Sequence, residues 1–451
     1  MDIRSIRKGI EKLRDYTERN GVEAALFRTL EGIRESAENR LYSREALMIP
    51  ESTEAGEETG GIFLSLIIPV FEPDMDDFAH LLDSILGQSY TDFEVVIADG
   101  SGNDDIENVV RTYDEDPDIG LKIKYRRLGE NKGISENTNE AIRDAEGEYL
   151  VFLDHDDFIE PDALSETVRA IRNGAELVYT DEDKYDGLRD RYISVNRKPD
   201  FNLDLLLSNN YICHMLTVKK EAVERAGFLR PEYDGAQDHD LILRLSETVP
   251  REKIAHIPKV LYHWRITDAS TAGNPKAKLY AYENGRKAVE DYFRRRGIRA
   301  SVSDSSHRGF FHTDYSKADV SPEDSCLFID NRLVPLTPDT ERRLKGYFSR
   351  KEAGIVGGRI IGRSGRTLSN GYVRDEYGRR VPEYGKIDYR FSGYMHRASM
   401  ARETEAVSVH AFAVRRELLP LVSRDAFAMC ERIRSRGYSV IVDPEIIFRI
   451  K

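Results

Sequence analysis

The feature that most constrains this chain is a series of short apolar runs, each closed by polar residues and separated from the next by a helical stretch. The runs are Leu64-Ser-Leu-Ile-Ile-Pro-Val, Phe93-Glu-Val-Val-Ile-Ala, Ile123 to Tyr125 and Tyr149 to Leu153, with Phe78 to Leu86 and Ser135 to Ala145 as examples of the helices between them. Strands that alternate with helices predict an α/β fold, a parallel sheet covered by helices on both faces. Ligands of such sheets sit at the carboxyl ends of the strands. The residues that close each run are therefore the ones to examine.

The 451 residues call for two or three domains. Residues 1–60 read as a helical segment and linker: Ile3, Ile6, Ile10 and Leu13 recur at helical spacing, and 50–61 is rich in Glu, Gly, Ser and Thr. This lead-in either packs on the body or serves a membrane surface or partner. The net charge of −13 argues against nucleic acid as a partner and requires a local cation for any polyphosphate ligand. No apolar run approaches the roughly 20 residues of a membrane span, and no apolar signal region follows Met1. Cys213, Cys326 and Cys430 lie far apart without paired-ligand spacing. That argues against a zinc site or a disulfide framework and fits a reducing cytosol. A cytoplasmic protein is expected, peripheral at the inner membrane face as a variant.

Four strand ends carry candidate chemistry: Pro69-Val70-Phe71, Asp99-Gly-Ser-Gly-Asn-Asp104, Asn131-Lys132-Gly133-Ile-Ser135 and Asp154-His-Asp156-Asp157. Three carboxylates in four residues repel one another, and a hard divalent cation such as Mg²⁺ relieves that repulsion. A solvated acidic turn capping the helix near Pro161 would read the same way. Asp99 can accept from a base or ribose, and Gly133 lets a nucleotide approach closely; ordinary turns are the alternative for both. Further along, Asp238 opens a helix, either as an N-cap or as a general base for a hydroxyl. In His256-Ile-Pro-Lys-Val-Leu-Tyr-His263-Trp-Arg265, His263 and Arg265 suit a diphosphate, or His263 a metal, and a structural histidine is the alternative.

Taken in order, Leu64 to Phe71, Val95 to Asp104, Asn131 to Asn139, Phe152 to Asp157, Tyr179-Thr-Asp-Glu-Asp183, Gly235 to Leu245 and Ile257 to Arg265 resemble family 2 glycosyltransferases of the GT-A fold. The Tyr-Thr-Asp-Glu-Asp and Gly-Ala-Gln-Asp segments look like the bacterial branch that builds surface polysaccharides such as O-antigen. The resemblance implies a GT-A mixed sheet over 61–310, an inverting transfer and a Mg²⁺ or Mn²⁺ cofactor. It also implies a UDP-, dTDP- or GDP-sugar donor and a saccharide or lipid-linked glycan acceptor. Pro69, Phe71 and Asp99 would hold the nucleotide, with Lys132, Gly133, Asp154 and Arg265 also on the donor. Asp154 and Asp156 would be the Asp-x-Asp acids, Asp156 foremost on the metal with His263 as a further ligand. Asp238 would be the base, and Asp181 and Asp183 would lie near sugar or acceptor. Ala98-Asp99 departs from the paired acids of many relatives, which weakens the reading of Asp99.

Residues 311–451 contain a partial second copy. Leu327-Phe-Ile-Asp330-Asn-Arg332 parallels Val151-Phe-Leu-Asp154-His-Asp156, Ala411 to Glu417 parallels Met215 to Glu221, Cys430-Glu-Arg432-Ile parallels Ile242-Leu-Arg244-Leu, and Pro444 to Lys451 parallels Pro258 to Arg265. The chemistry has gone from it: Arg332 stands for Asp156, Ala426 for Asp238 and Arg449 for His263. Gly357-Gly358, Gly362 and Gly365 form no dinucleotide fingerprint. A smaller, degenerate α/β domain is expected, acting as scaffold, acceptor platform or interface for an oligomer or complex. Three rivals to the enzyme reading remain: a nucleotidyltransferase, a non-catalytic sugar- or nucleotide-binding protein, and an assembly subunit. Phe71-Glu-Pro-Asp is wrong for the triphosphate loop of the first, and the complete acid set in the first copy argues against the second.

Overall fold

A computed structural model describes residues 3–46, 61–114, 121–266 and 279–451. The chain packs into two compact units. The first comprises Glu35–Phe201 and Asn210–Ala288, and the second Met1–Arg34, Asn202–Asn209 and Val289–Lys451. Residues 289–310, expected with the first domain, thus go with the second unit. The helix Ile3–Ala46 contributes to both units and is broken at Gly21, whose φ of 82° no helix accommodates. Apart from Gly61, the linker expected at 50–61 lies outside the described residues.

The first unit is built on nine strands. They are β1 Leu64–Val70, β2 Phe93–Asp99, β3 Ile123–Arg127, β4 Tyr149–Phe152, β5 Phe158–Ile159, β6 Leu177–Asp186, β7 Arg191–Asn196, β8 Leu216–Lys219 and β9 Ile254–Arg265. Their order is β3-β2-β1-β4-β8-β6-β9-β5, with β7 on β6. β3, β2, β1 and β4 run parallel, β8 is antiparallel to both β4 and β6, and β9 is parallel to β6. This is the mixed sheet that the resemblance implies, and β8 departs from the all-parallel sheet that the residue pattern alone predicts. β1 is buried at all seven positions, which is why it is apolar at every position but Ser65 and does not alternate; Ser65 donates to the buried Glu94 of β2. The helix Met75–Leu86 covers one face with Phe78, Leu81, Leu82 and Ile85, spaced for a single helical stripe, and starts where Asp74 accepts from the amides of Asp76 and Asp77.

The second unit holds the hairpin β10 Ser301–Asp304 with β11 Phe311–Asp314, and a seven-stranded sheet. Its strands, with a small β16–β17 hairpin beside them, are β12 Ser325–Ile329, β13 Leu333–Pro335, β14 Ala353–Ile361, β15 Thr367–Ser369, β16 Tyr372–Arg374, β17 Arg380–Pro382, β18 Arg402–Glu403, β19 Ala411–Arg415 and β20 Ser439–Ile450. The central order β12-β19-β14-β20-β13 has the same senses as β4-β8-β6-β9-β5. The register follows too: Leu327 faces Ala413 as Val151 faces Thr217, and Val334 faces Arg449 as Phe158 faces His263. Gly358 lies in the middle of β14, where a Cβ would meet the Ile446 carbonyl at 2.4 Å, so this glycine serves packing.

Candidate active site

The acidic turn follows β4 and is held by β9. Asp157 has no exposed surface; its Oδ2 accepts from the Tyr262 hydroxyl at 2.5 Å and its Oδ1 from the Arg265 amide at 2.8 Å. Arg265 Nε donates to the Asp156 carbonyl at 2.9 Å, and His155 Nδ1 lies 3.2 Å from the Pro69 carbonyl at the end of β1. With the turn fixed this way, the Asp154 and Asp156 carboxylates are left over. Asp156 takes no side-chain hydrogen bond among the described residues. Burial, and then the charge of Asp154, push its carboxyl above the usual range. Two acids that repel each other at the end of a buried strand, neither paired with a Lys or Arg among the described residues, fit a hard divalent cation.

The partner of this turn is the segment 210–214, which precedes β8. His214 Nε2 is 3.5 Å from Asp154 Oδ2, and the His214 ring stacks on Tyr262 at 4.9 Å. One ligand atom each from Asp154, Asp157 and His214 lies within 4.8 Å of the others. From the same segment Asn210 Nδ2 donates to Asp238 Oδ2 at 2.6 Å, and Cys213 Sγ lies 3.5 Å from that oxygen. Asp238 is the second residue of the helix Gln237–Thr248, whose N-cap is Ala236, so the N-cap alternative does not apply. Its Oδ1 accepts nothing from the described residues.

The other strand ends close a ring. The Gly100 amide donates to the Val70 carbonyl, and a Cβ on Gly100 would meet Asn137 Nδ2 at 2.9 Å, so the turn after β2 packs on the turn after β3. Asn137 in turn donates to Asn131 and accepts from the Lys132 amide. Ser135 N donates to Asp234, four residues before Asp238. Gly133 has φ 91°, and a Cβ there would lie 2.5 Å from Asp234 Oδ2. Contacts thus run from Pro69 through the acidic turn, segment 210–214 and Asp238 to the Asn131 turn, the Asp99 turn and back to β1. Phe71 is exposed on this rim, and Lys132 sits 3.6 Å from Glu140.

Several expected contacts take a different form. Asp99 has no exposed surface; its Oδ1 accepts from Ser101 N and its Oδ2 from the Tyr125 hydroxyl, so it shapes the turn and does not face the rim. Asp181 and Asp183 on β6 are buried. Asp181 accepts from the Lys198 amide and pairs with His256, while Asp183 accepts from Tyr42 and pairs with His263. His263, expected as a further metal ligand, is held between two carboxylates. Its Nδ1 is 2.7 Å from Asp183 and its Nε2 2.9 Å from Glu160, which leaves no lone pair for a metal. Burial alone would lower its pKa, but the bonds and charges of Asp183 and Glu160 outweigh that and raise it to about 9. Arg265 is likewise in use: it pairs with Asp77 at 3.0 Å, reaches His80 at 2.7 Å and lies over the Phe158 and Tyr185 rings. His214, Asn210, Tyr262 and Glu160 escaped the sequence reading. Only the antiparallel pairing of β4 with β8 could have pointed to His214, since the start of one strand lies beside the end of the other.

Residues 65–227 match the family described as Glycosyl transferase family 2. An uncharacterized protein y4gI of Sinorhizobium fredii is 39% identical over 241 residues, 52% of this chain and 26% of that protein. The O-antigen biosynthesis protein RfbC of Myxococcus xanthus is 32% identical over 242 residues, 53% of this chain and 19% of that protein. The chain therefore spans about a quarter or less of the length of these curated relatives. Among solved structures, S. aureus TarS 1–349 in complex with UDP-GlcNAc superposes on 50% of this chain and 65% of its own, with 18% identity and a TM-score of 0.41. No helix among the described residues is long and apolar enough to cross a membrane. The family match is thus to a glycosyltransferase domain of family 2 within residues 65–227, the part of the chain that holds β1 to β8 and the acidic turn.

Proposed function

We propose that the chain transfers a sugar from a nucleoside-diphosphate donor to a saccharide hydroxyl, with inversion at the anomeric carbon, in the synthesis of a bacterial surface polysaccharide. The observation that carries this reading is the short segment 210–214, which touches Asp154 through His214 and Asp238 through Asn210. A candidate metal-holding acid and a candidate base thus stand on either side of five residues. Asp154 and Asp156, with His214 in the place expected of His263, would hold Mg²⁺ or Mn²⁺. Such a cation, when bound, supplies charge neutralisation to the leaving diphosphate.

The chain's own residues account for the rest. Asn210 anchors Asp238 by Oδ2, leaving Oδ1 to accept the acceptor's hydroxyl proton. As that proton leaves, the acceptor oxygen bonds to the anomeric carbon from the side opposite the bond to the diphosphate. That bond breaks with its electron pair on the nucleotide, and the configuration inverts. Phe71 on the rim and the Lys132-Gly133 backbone would bind the nucleotide, with Pro69 setting the end of β1. Asp99 acts through the turn it holds. Asp181 and Asp183 act by fixing His256 and His263. The similarity to RfbC supports a polysaccharide or lipid-linked glycan acceptor, and a cytoplasmic location goes with it. Residues 311–451 are read as a scaffold or acceptor platform. There Arg332, in the place of Asp156, pairs with Asp330.

The test is Asp238→Asn. Transfer should fall by at least about a thousandfold, the upper part of the range for a lost general base, while a nucleotide sugar still raises the melting temperature in the presence of Mn²⁺. Unchanged turnover removes Asp238 from the role. If no nucleotide sugar stabilises the wild-type chain and no transfer is seen, the reading gives way to an assembly subunit.

A further inference from the structure

The second unit contains a cavity of about 380 Å³, lined among others by Tyr16, Phe27, Arg28, Glu31, His307 and Arg390. At one side of it the rings of His307 and His396 stack at 3.6 Å and 14°. A ligand atom of Glu31, one of His307 and one of His396 all lie within 4.8 Å of one another. These residues come from the N-terminal helix, the turn between β10 and β11, and the segment 394–399, so nothing local brings them together.

The surrounding hydrogen bonds prepare the three groups for one task. Glu31 Oε1 accepts from the Ser392 and Gly393 amides at 2.6 and 3.2 Å and from Ser392 Oγ at 2.8 Å. Since the Ser392 hydroxyl gives its proton to Glu31, its oxygen is the acceptor for His396 Nδ1 at 2.8 Å. That assigns the proton of His396 to Nδ1 and leaves the Nε2 lone pair available. Neither ring nitrogen of His307 has a hydrogen-bond partner among the described residues. The His307 side chain is buried. His396 and Met395 also sit at φ 59° and 48°, a costly conformation for residues with a Cβ, and one that keeps the His396 ring over His307.

We propose that Glu31, His307 and His396 form a site for a borderline divalent transition metal of the Zn²⁺ class, distinct from the acidic turn of the first unit. Two neutral imidazoles and one carboxylate make a donor set suited to Zn²⁺ and poor for Mg²⁺. Metal bonds of about 2.1 Å require the three ligand atoms to close up and one imidazole to turn out of the stack, since the in-plane lone pairs of two nearly parallel rings run side by side. On the same cavity Arg390 is already paired with Asp388 and Glu23. The ion would tie the N-terminal helix to two loops remote from it in sequence. The cysteine spacing gave no hint of such a site because its ligands are histidines and a glutamate.

The experiment uses the full-length chain carrying Asp154→Asn and Asp156→Asn, which silences the acidic turn, freed of metal by chelation and titrated with ZnCl₂ in a calorimeter and with Co²⁺ in a visible spectrometer. The expected result is one Zn²⁺ per chain, a rise in melting temperature, and Co²⁺ absorption bands of a nitrogen- and oxygen-ligated ion. Combining His307→Phe with His396→Asn should abolish all three. Ser392→Ala, which keeps every ligand, should weaken Zn²⁺ roughly 10- to 100-fold. The inference is overturned if the acid-silenced chain binds no Zn²⁺, or if Ser392→Ala and the histidine variant bind it as tightly as their parent.

Discussion

Replacing His263 by glutamine removes a buried cation from between Asp183 and Glu160, and the consequence depends on pH in a way that can be worked out in advance. The folded imidazolium titrates at about 9 against an ordinary value of about 6.5. At about 1.36 kcal/mol per pH unit, that difference corresponds to roughly 3 kcal/mol of folding free energy. Because the folded pKa is the higher one, this contribution is complete below pH 6.5, declines between 6.5 and 9, and is gone above 9. The glutamine variant has no such term. It also leaves two carboxylates facing each other, a cost that stays constant across this window. Urea unfolding of both proteins from pH 6 to pH 10 should therefore give a stability difference about 3 kcal/mol larger at the acid end than at the alkaline end. Other titrating groups cancel in the comparison. A difference that stays constant across the range would mean His263 titrates as an ordinary imidazole, and would refute the clamp and with it the argument that its nitrogens are closed to metal.

The same geometry separates two histidines by function: His214→Ala should lower Mn²⁺-dependent donor affinity about tenfold or more, while His263→Gln leaves it within about threefold at pH 7. Equal effects of the two variants on a Mn²⁺ titration would count against His214. In the second unit the fully buried Arg350 makes a bidentate pair with Asp204 at 2.5 and 3.2 Å. Arg350→Met strands that carboxylate and should cost about 3–5 kcal/mol in denaturant unfolding; a loss below about 1 kcal/mol would show that water or another cation reaches Asp204. At Gly147 a Cβ would lie 2.5 Å from Ser65 N and 2.7 Å from the Leu64 carbonyl carbon. Gly147→Ala should therefore push β1 and cost about 1–3 kcal/mol by the same measurement, whereas Gly102→Ala, where nothing lies within 4 Å, serves as a neutral comparison.

What could be read from the residues follows from local physics. A strand flanked on both sides and covered on both faces is mostly apolar, so Leu64–Val70 and Phe93–Asp99 announce themselves despite the buried Ser65 and Glu94, which bond to each other, and the acids that follow sit at a sheet edge. The parallel between Leu327–Arg332 and Val151–Asp156 was visible for the same reason: the apolar framework of a sheet leaves its period in the sequence after the acids are replaced, and β12-β19-β14-β20-β13 repeats the order of β4-β8-β6-β9-β5. The partner of a polar side chain leaves no such period. Asp99, Asp183, His263 and Arg265 all stand where a ligand contact was reasonable. Each is instead turned inward by a group from elsewhere in the chain: Tyr125 for Asp99, Tyr42 for Asp183, Glu160 for His263, Asp77 for Arg265. His214 reaches the acidic turn only because β8 runs antiparallel beside β4. The sequence by itself determined the sheet, its helical cover and the edge on which the acids lie, since burial and period are properties of neighbouring residues. Which of those polar groups face the cleft was decided by tertiary pairing, because a buried hydrogen bond is satisfied by whichever donor the fold brings within 3 Å, however distant in the chain.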